Sequence, residues 1–137
     1  MLNWLPGFEI HRNYVSVMNK KNAALEKSYQ FALDSIQIYM LLIQKKEYVI
    51  AKQLLRCGTS IGANVEEATG GGSRRDFGWK MSIAYKEARE AHFWLRLLRD
   101  SKYLTQEEVS ELLVKADELL RILGSIQKTV LARNFSK

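Results

Sequence analysis

A chain of 137 residues with 21 Lys and Arg against 15 Asp and Glu carries a net charge of +6, enough length for one domain with a real core. Apolar residues make up 47% and charged residues 26%, which excludes a disordered chain, and one proline with eight glycines argues against a many-turned β fold. Cys57 is the only cysteine, which excludes an intramolecular disulfide and a thiolate metal cluster and makes a reducing cytoplasm the expected compartment.

Residues 1–19 mix Trp4, Phe8 and Tyr14 with Pro6 and Gly7 and show no repeat. They lack the basic start and apolar core of a signal peptide. Two expectations stand for this leader: an arm that docks on the domain or on a partner, or sequence ahead of the true start. Met18-Asn19-Lys20-Lys21 would make a natural beginning.

Residues 22–45 place Leu25, Ser28, Phe31, Ala32, Ser35, Ile36, Tyr39, Leu42 and Ile43 at helical spacing, which predicts a first amphipathic helix. Asp34 interrupts it, and only Ser35–Gln44 lack charge, too short a run to span a bilayer. A second helix is predicted over 47–68, with Ala51, Leu54, Gly58, Ile61, Val65 and Ala68 on one face. Glycine inside a helix costs up to about 1 kcal/mol relative to alanine, so Gly58 and Gly62 imply close approach of another helix. Gly70–Gly72 end this element.

Ser73 with Asp76 forms a capping box that opens a third helix, along which Phe77, Met81, Ala84, Ala88, Ala91, Leu95 and Leu98 step 4-3-4-3-4-3, a bundle seam. Thr105 with Glu108 opens a fourth, carried by Leu112, Ala116, Leu119, Leu123, Ile126 and Val130. Its acids lie early and Lys128 late, as the helix dipole favours. Helices of about 24 residues are roughly 36 Å long. With connections this short, neighbours must be antiparallel. The expected fold is all-α: an antiparallel up-down-up-down four-helix bundle over residues 20–131, with 132–137 as a C-terminal tail.

Positive charge is uneven along these elements. Residues 20–46 carry five basic and two acidic side chains, 73–102 carry eight and four, and 104–131 carry three and five. Basic surface is therefore expected around the first and third helices, where it attracts polyanions over about 8 Å at physiological salt. Arg75, Lys86, Arg89 and Arg96 fall along one flank of the third helix with Phe93 between them. Cations with an interleaved aromatic suit phosphate-backbone binding with occasional base stacking. A solvated face paired with its own acids, Glu87 and Glu90, is the competing reading.

Ser60, Asn64 and Glu67 follow at i, i+4, i+7 on the second helix. They form either an exposed polar stripe or a hydrogen-bonded layer between helices or subunits that meets Arg56 and Glu90. Trp79 and Trp94 lie off the 77–98 seam; at least one is expected to be covered by a neighbouring subunit, unless a wide core takes in both.

The run SIGANVEEA resembles the S-I-x-x-N-I-x-E-G core of the 23S rRNA intervening-sequence protein family, whose superfamily includes the accessory variability determinant of diversity-generating retroelements. RCGTS at 56–60 resembles its lead-in, and Asp76-Phe77, Ile83-Ala84 and Glu90 its continuation. The resemblance spans about residues 20–131; Ala68 stands where glycine is usual, and the leader lies outside. It implies a four-helix bundle, homo-oligomeric assembly into a ring (a pentamer in the retroelement members), a basic nucleic-acid-binding surface and, in the retroelement branch, a reverse-transcriptase partner. It implies no catalytic residues.

Enzymatic readings find little support in the residues. Di-iron bundles use Glu-x-x-His pairs, whereas Glu90 and His92 are two apart and no second pair exists, so neither a metal nor a cofactor is expected. Arg89 with His92 is a weak candidate for a ribonuclease pair, against a histidine packed at a helix flank. Cys57 has no evident base and suits a small buried site. GGGSRR at 70–75 lacks the Gly-Lys-Ser/Thr ending of a phosphate loop. It reads as a linker with a cap, or as a single-phosphate site through Arg74 and Arg75. The expectation is a non-enzymatic, self-associating bundle that binds RNA or an RNA/DNA hybrid through Arg74, Arg75, Lys80, Lys86, Arg89, Arg96 and Arg99. The alternative is a protein-interaction adaptor that uses Trp79, Trp94 and the N-terminal arm. Genomic neighbourhood, an rRNA insertion or an adjacent reverse transcriptase, separates the possible roles.

Overall fold

The computed structural model describes the backbone of residues 6–135 and the side chains of 11–132. It contains four helices, α1 (Pro6–Gln44), α2 (Val49–Thr69), α3 (Arg74–Asp100) and α4 (Gln106–Phe135), and no strand among the described residues. Each helix packs on two others: α2 lies between α1 and α3, α4 closes the ring between α3 and α1, and the diagonal pairs stay apart. Every adjacent pair is antiparallel. Ser28 and Ser35 of α1 meet Gly62 and Gly58 of α2, and Glu67 and Arg56 of α2 meet Lys80 and Glu90 of α3. Gly78 and His92 of α3 meet Val130 and Asp117 of α4, and Lys27 and Lys45 of α1 meet Glu118 and Glu108 of α4.

The inner faces are those that the periodicity marks. Phe31 and Leu42, Leu54 and Ile61, Met81 and Leu95, and Leu119 and Leu123 are fully buried, one pair from each helix. Ser28 and Ser35 are the small polar residues of this core, and each hydroxyl donates to a carbonyl of its own helix, Leu25 O at 3.3 Å and Phe31 O at 2.7 Å. That arrangement leaves α1 narrow where α2 is narrow. A Cβ on Gly62 would lie 3.2 Å from the Ser28 carbonyl oxygen, and one on Gly58 would lie 2.7 Å from Ser35 Cβ.

The caps follow their local chemistry. Ser73 Oγ accepts from Asp76 N and Asp76 Oδ2 from Ser73 N, and Thr105 and Glu108 do the same at α4. At α2 no side chain of Tyr48 caps. Glu47, buried just ahead of the helix, instead accepts from Ile50 N at 3.1 Å and Ala51 N at 2.7 Å. Gly71 and Gly72, at φ +123° and +111°, make the tight passage from α2 to α3, a backbone region that residues with a Cβ rarely enter.

Two expectations are corrected. The first helix starts at Pro6 rather than at residue 22, so residues 6–19, assigned to a leader, are helix continuous with α1. After Gly7 nothing breaks this stretch. It shows no seam because it runs past the end of α2, leaving Tyr14, Val15 and Met18 exposed. Residues 1–5, Trp4 among them, and the side chain of Phe8 lie outside the described residues, as do residues 136–137 of the tail; its residues 132–135 continue α4. Second, Ile36, counted with the inner face, is 39% exposed. It belongs to an outward row, Tyr29, Leu33, Ile36 and Met40, spaced 4-3-4 on the side of α1 away from the core.

Candidate nucleic-acid interface

The helical repeat that turns Met81, Ala84, Ala88, Ala91, Leu95 and Leu98 into the core turns a second row outward, two positions out of register. Arg75, Trp79, Ser82, Lys86, Arg89, Phe93 and Arg96 also step 4-3-4-3-4-3. Trp79 is 63% and Phe93 46% exposed, and the four cations are exposed as well. The row runs from Arg75 to Arg96, roughly 32 Å at 1.5 Å per residue. It contains no carboxylate. The acids of α3 lie elsewhere: Asp76 in the cap, Glu87 and Glu90 turned toward α2, and Asp100 at the end.

The seven cations singled out from the sequence divide into two groups. Among the described residues no carboxylate lies within 4 Å of Arg74, Arg75, Lys86, Arg89 or Arg96. Lys80 and Arg99 are engaged: Lys80 reaches across to Glu67, and Arg99 binds its neighbour Asp100 at 2.8 Å. The Arg99 guanidinium holds the Asp100 carboxyl below its usual range, with a smaller contribution from Arg96. Exposed pairs of this kind are worth about 0–1 kcal/mol, so an incoming phosphate can displace either one.

The polar residues of α2 do not form one layer. Asn64 donates to the Ser60 carbonyl at 2.8 Å and to its hydroxyl at 3.1 Å, within α2. Glu67 faces Lys80. Arg56 crosses to α3, where it reaches Glu87 at 3.3 Å and binds Glu90, which also accepts the Trp94 indole N–H at 3.2 Å. That guanidinium lowers the Glu90 carboxyl below its usual range, and Glu90 in turn raises the guanidinium. Trp94 is half-buried, packed on the core and edge-on to Phe93 at 5.0 Å between centroids. Its polar atom is satisfied inside the subunit. Trp79 joins the outer row, a placement that its spacing from Arg75, Ser82 and Lys86 signals in the sequence.

Residues considered for chemistry have structural surroundings. His92 Nε2 lies 3.1 Å from Asp117 Oδ1 of α4. Cys57 Sγ faces the Leu54 carbonyl in the core, and burial pushes its thiol up to about 12. Among the described residues, no group of three or more His, Cys, Asp or Glu side chains is placed to hold a metal ion, and no helix is long and apolar enough to cross a membrane.

Residues 20–125 match the family model described as 23S rRNA-intervening sequence protein. A crystal structure of a protein of unknown function, assigned to the S23 ribosomal protein family and coming from Bacteroides thetaiotaomicron, is 43% identical to this chain. The match covers 80% of this chain and 98% of that one, with a TM-score of 0.77. No curated protein matches the chain.

Proposed function

Because the chain belongs to the 23S rRNA-intervening sequence protein family, and the S23-family structure it is similar to is of a protein of unknown function, we propose that it is a non-enzymatic, self-associating cytoplasmic protein that binds RNA or an RNA/DNA hybrid with little sequence readout. The observation that carries the proposal is the outer row of α3. Four cations with no carboxylate within 4 Å among the described residues share the row with two exposed aromatics over about 32 Å. Arg75, Lys86, Arg89 and Arg96 serve as phosphate ligands, Trp79 and Phe93 as stacking platforms, and Arg74 extends the row at its start. Lys80 and Arg99 add contacts when phosphate displaces Glu67 and Asp100. Repetition of the row around a ring of copies, a pentamer being the ring that the resemblance implies for the retroelement members of the superfamily, sums moderate single-subunit charge into a stronger site.

The test is fluorescence anisotropy with single-stranded RNA and with an RNA/DNA hybrid at two salt concentrations. Affinity for the single strand is expected to fall with a log–log slope of about −0.7 per phosphate contact, and Lys86→Gln with Arg89→Gln to reduce that slope by about 1.4. No binding to either ligand at low salt overturns the proposal. It leaves the protein-interaction adaptor, with a partner such as a reverse transcriptase, as the reading of the same exposed Trp79 surface.

A further inference from the structure

Where Gly72 leads into α3, the end of the bundle has a half-open cavity of about 210 Å³. Its floor is apolar, formed by Val17 of α1, Phe77 of α3, and Ile126 and Val130 of α4. Its rim carries Lys20, Lys21 and Arg74, with no carboxylate among the lining residues. Lys21 Nζ sits 4.6 Å from the centroid of the Phe77 ring, so one cation and the aromatic wall already share the site. None of the three cations has a carboxylate within 4 Å among the described residues. The α3 start itself is occupied by its own capping box, so the cavity offers side-chain charge and an aromatic face rather than free helix N–H groups.

This chemistry selects a compact group with concentrated negative charge beside a small flat body. The volume is below the roughly 300–1,000 Å³ of clefts that enclose drug-sized ligands, so one end group fits and a larger cofactor does not. A wider groove shares Ser73, Arg74 and Val130 with the cavity and opens onto Arg75, Trp79 and Ser82, the first members of the outer row; its one carboxylate, Asp76, is held in the α3 capping box. The cavity thus adjoins one end of the cationic track. A phosphomonoester at a strand end carries close to two charges at neutral pH, whereas an internal phosphodiester carries one, and three cations lining one pocket favour the former.

We infer that the pocket receives the phosphorylated end of a strand bound along α3. The terminal phosphate sits among Lys20, Lys21 and Arg74, and the terminal nucleoside lies against Phe77. The inference rests on the nucleic-acid reading above and adds to it an end-specificity that the open outer row cannot supply. Either strand end presents the same phosphomonoester, so the chemistry is common to a 5′- and a 3′-phosphate.

The test measures anisotropy of one internally labelled single-stranded RNA in three forms, with a 5′-phosphate, with a 3′-phosphate and with hydroxyls at both ends. One phosphorylated form is expected to bind about tenfold more tightly than the hydroxyl form, the size of one well-made charge-assisted contact. Lys20→Met with Lys21→Met is expected to bring it back to the hydroxyl value. Circular dichroism checks the fold; if the double variant loses helix, Lys20→Met alone carries the comparison and halves the preference at least. Equal binding of all three strands overturns the inference but leaves strand binding intact, whereas no binding of any strand at low salt overturns the underlying reading. A preference that stays undiminished in a folded lysine variant also overturns it. So does a nucleoside monophosphate that binds as tightly as the phosphorylated strand, which would make the pocket a mononucleotide site.

Discussion

Gly58 of α2 lies against Ser35 of α1 so closely that a Cβ at position 58 would fall 2.7 Å from Ser35 Cβ and closer still to its hydroxyl. Ser35 cannot swing away freely, since its hydroxyl is fixed on the Phe31 carbonyl inside the core. The contact sets the distance between the two helices.

Gly58→Ala is therefore expected to destabilise the fold. Overpacking costs about 1–3 kcal/mol, and the better helix propensity of alanine returns up to about 1 kcal/mol, leaving a net loss of up to about 2 kcal/mol when that return is complete. Ser35→Gly in the same chain should recover much of that loss, because it removes the atoms in the way. Urea denaturation of both single variants and the double gives the coupling directly. Additive losses would show that the two residues do not meet.

How much of this was legible from residues alone varies by feature. The small side chains at 58 and 62 announced a close approach because glycine is costly inside a helix, but their partners, Ser35 and Ser28, came from a helix whose own pattern reads as ordinary amphipathic sequence. The inner seam of α3 and both capping boxes were visible because each is a local rule with a fixed spacing. Glu47 was not, since a carboxylate one position ahead of the N-cap has no spacing signature of its own. The helical character of residues 6–19 stayed hidden for a related reason. Periodicity records what a helix packs against, and this stretch has little to pack against. In the candidate site, cations could be listed from sequence, but which of them are tied up depends on pairings such as Lys80 with Glu67 that cross between helices.

The Arg56–Glu90 pair predicts a response to acid. Glu90 has its carboxyl held below the usual 4.5, first by the Arg56 hydrogen bond. A group that binds its proton less readily when folded contributes fully above its unfolded value and loses that contribution as the pH falls through its folded value. Stability should thus decline below about pH 4.5, with Glu108, held down chiefly by Lys45, contributing in the same direction. Glu90→Gln should cost about 1 kcal/mol or less at neutral pH, both side chains being partly exposed. It should also flatten the acid limb. Urea midpoints measured at neutral pH and near pH 4 decide it: a limb equally steep in the variant rules the pair out as its cause.

Cys57 should be inert while the bundle is folded. Burial lifts its thiol from 9.0 to about 12, which alone lowers the reactive thiolate on the order of a thousandfold. Labelling with a disulfide reagent should be slow in buffer and fast in denaturant. Prompt labelling of native protein would contradict the core position.

The proposed self-association has two candidate surfaces, and they can be separated. One is Trp79 on the outer row of α3. The other is the uncharged row Tyr29, Leu33, Ile36 and Met40 on α1, which faces solvent although its 4-3-4 spacing is that of a packing seam. Burial of an introduced charge in such a seam is strongly unfavourable. Leu33→Glu with Met40→Glu should dissociate the assembly by one or more subunits in sedimentation, with Trp79→Ser having little effect. The opposite pattern would place the subunit contact on α3 and leave less room there for a polyanion.

The long first helix has one more consequence. From Ser28 to Leu42 α1 is clasped by both α2 and α4, while its beginning has outrun α2 and keeps only part of that company. One uninterrupted hydrogen-bonded rod therefore has two lifetimes. Amides near its middle open only when the whole domain opens, and those between residues 11 and 19 open by local fraying. In hydrogen exchange the boundary between slow and fast should fall near residue 20, with no break in the helix there, because protection is set by what surrounds a helix rather than by its own bonds.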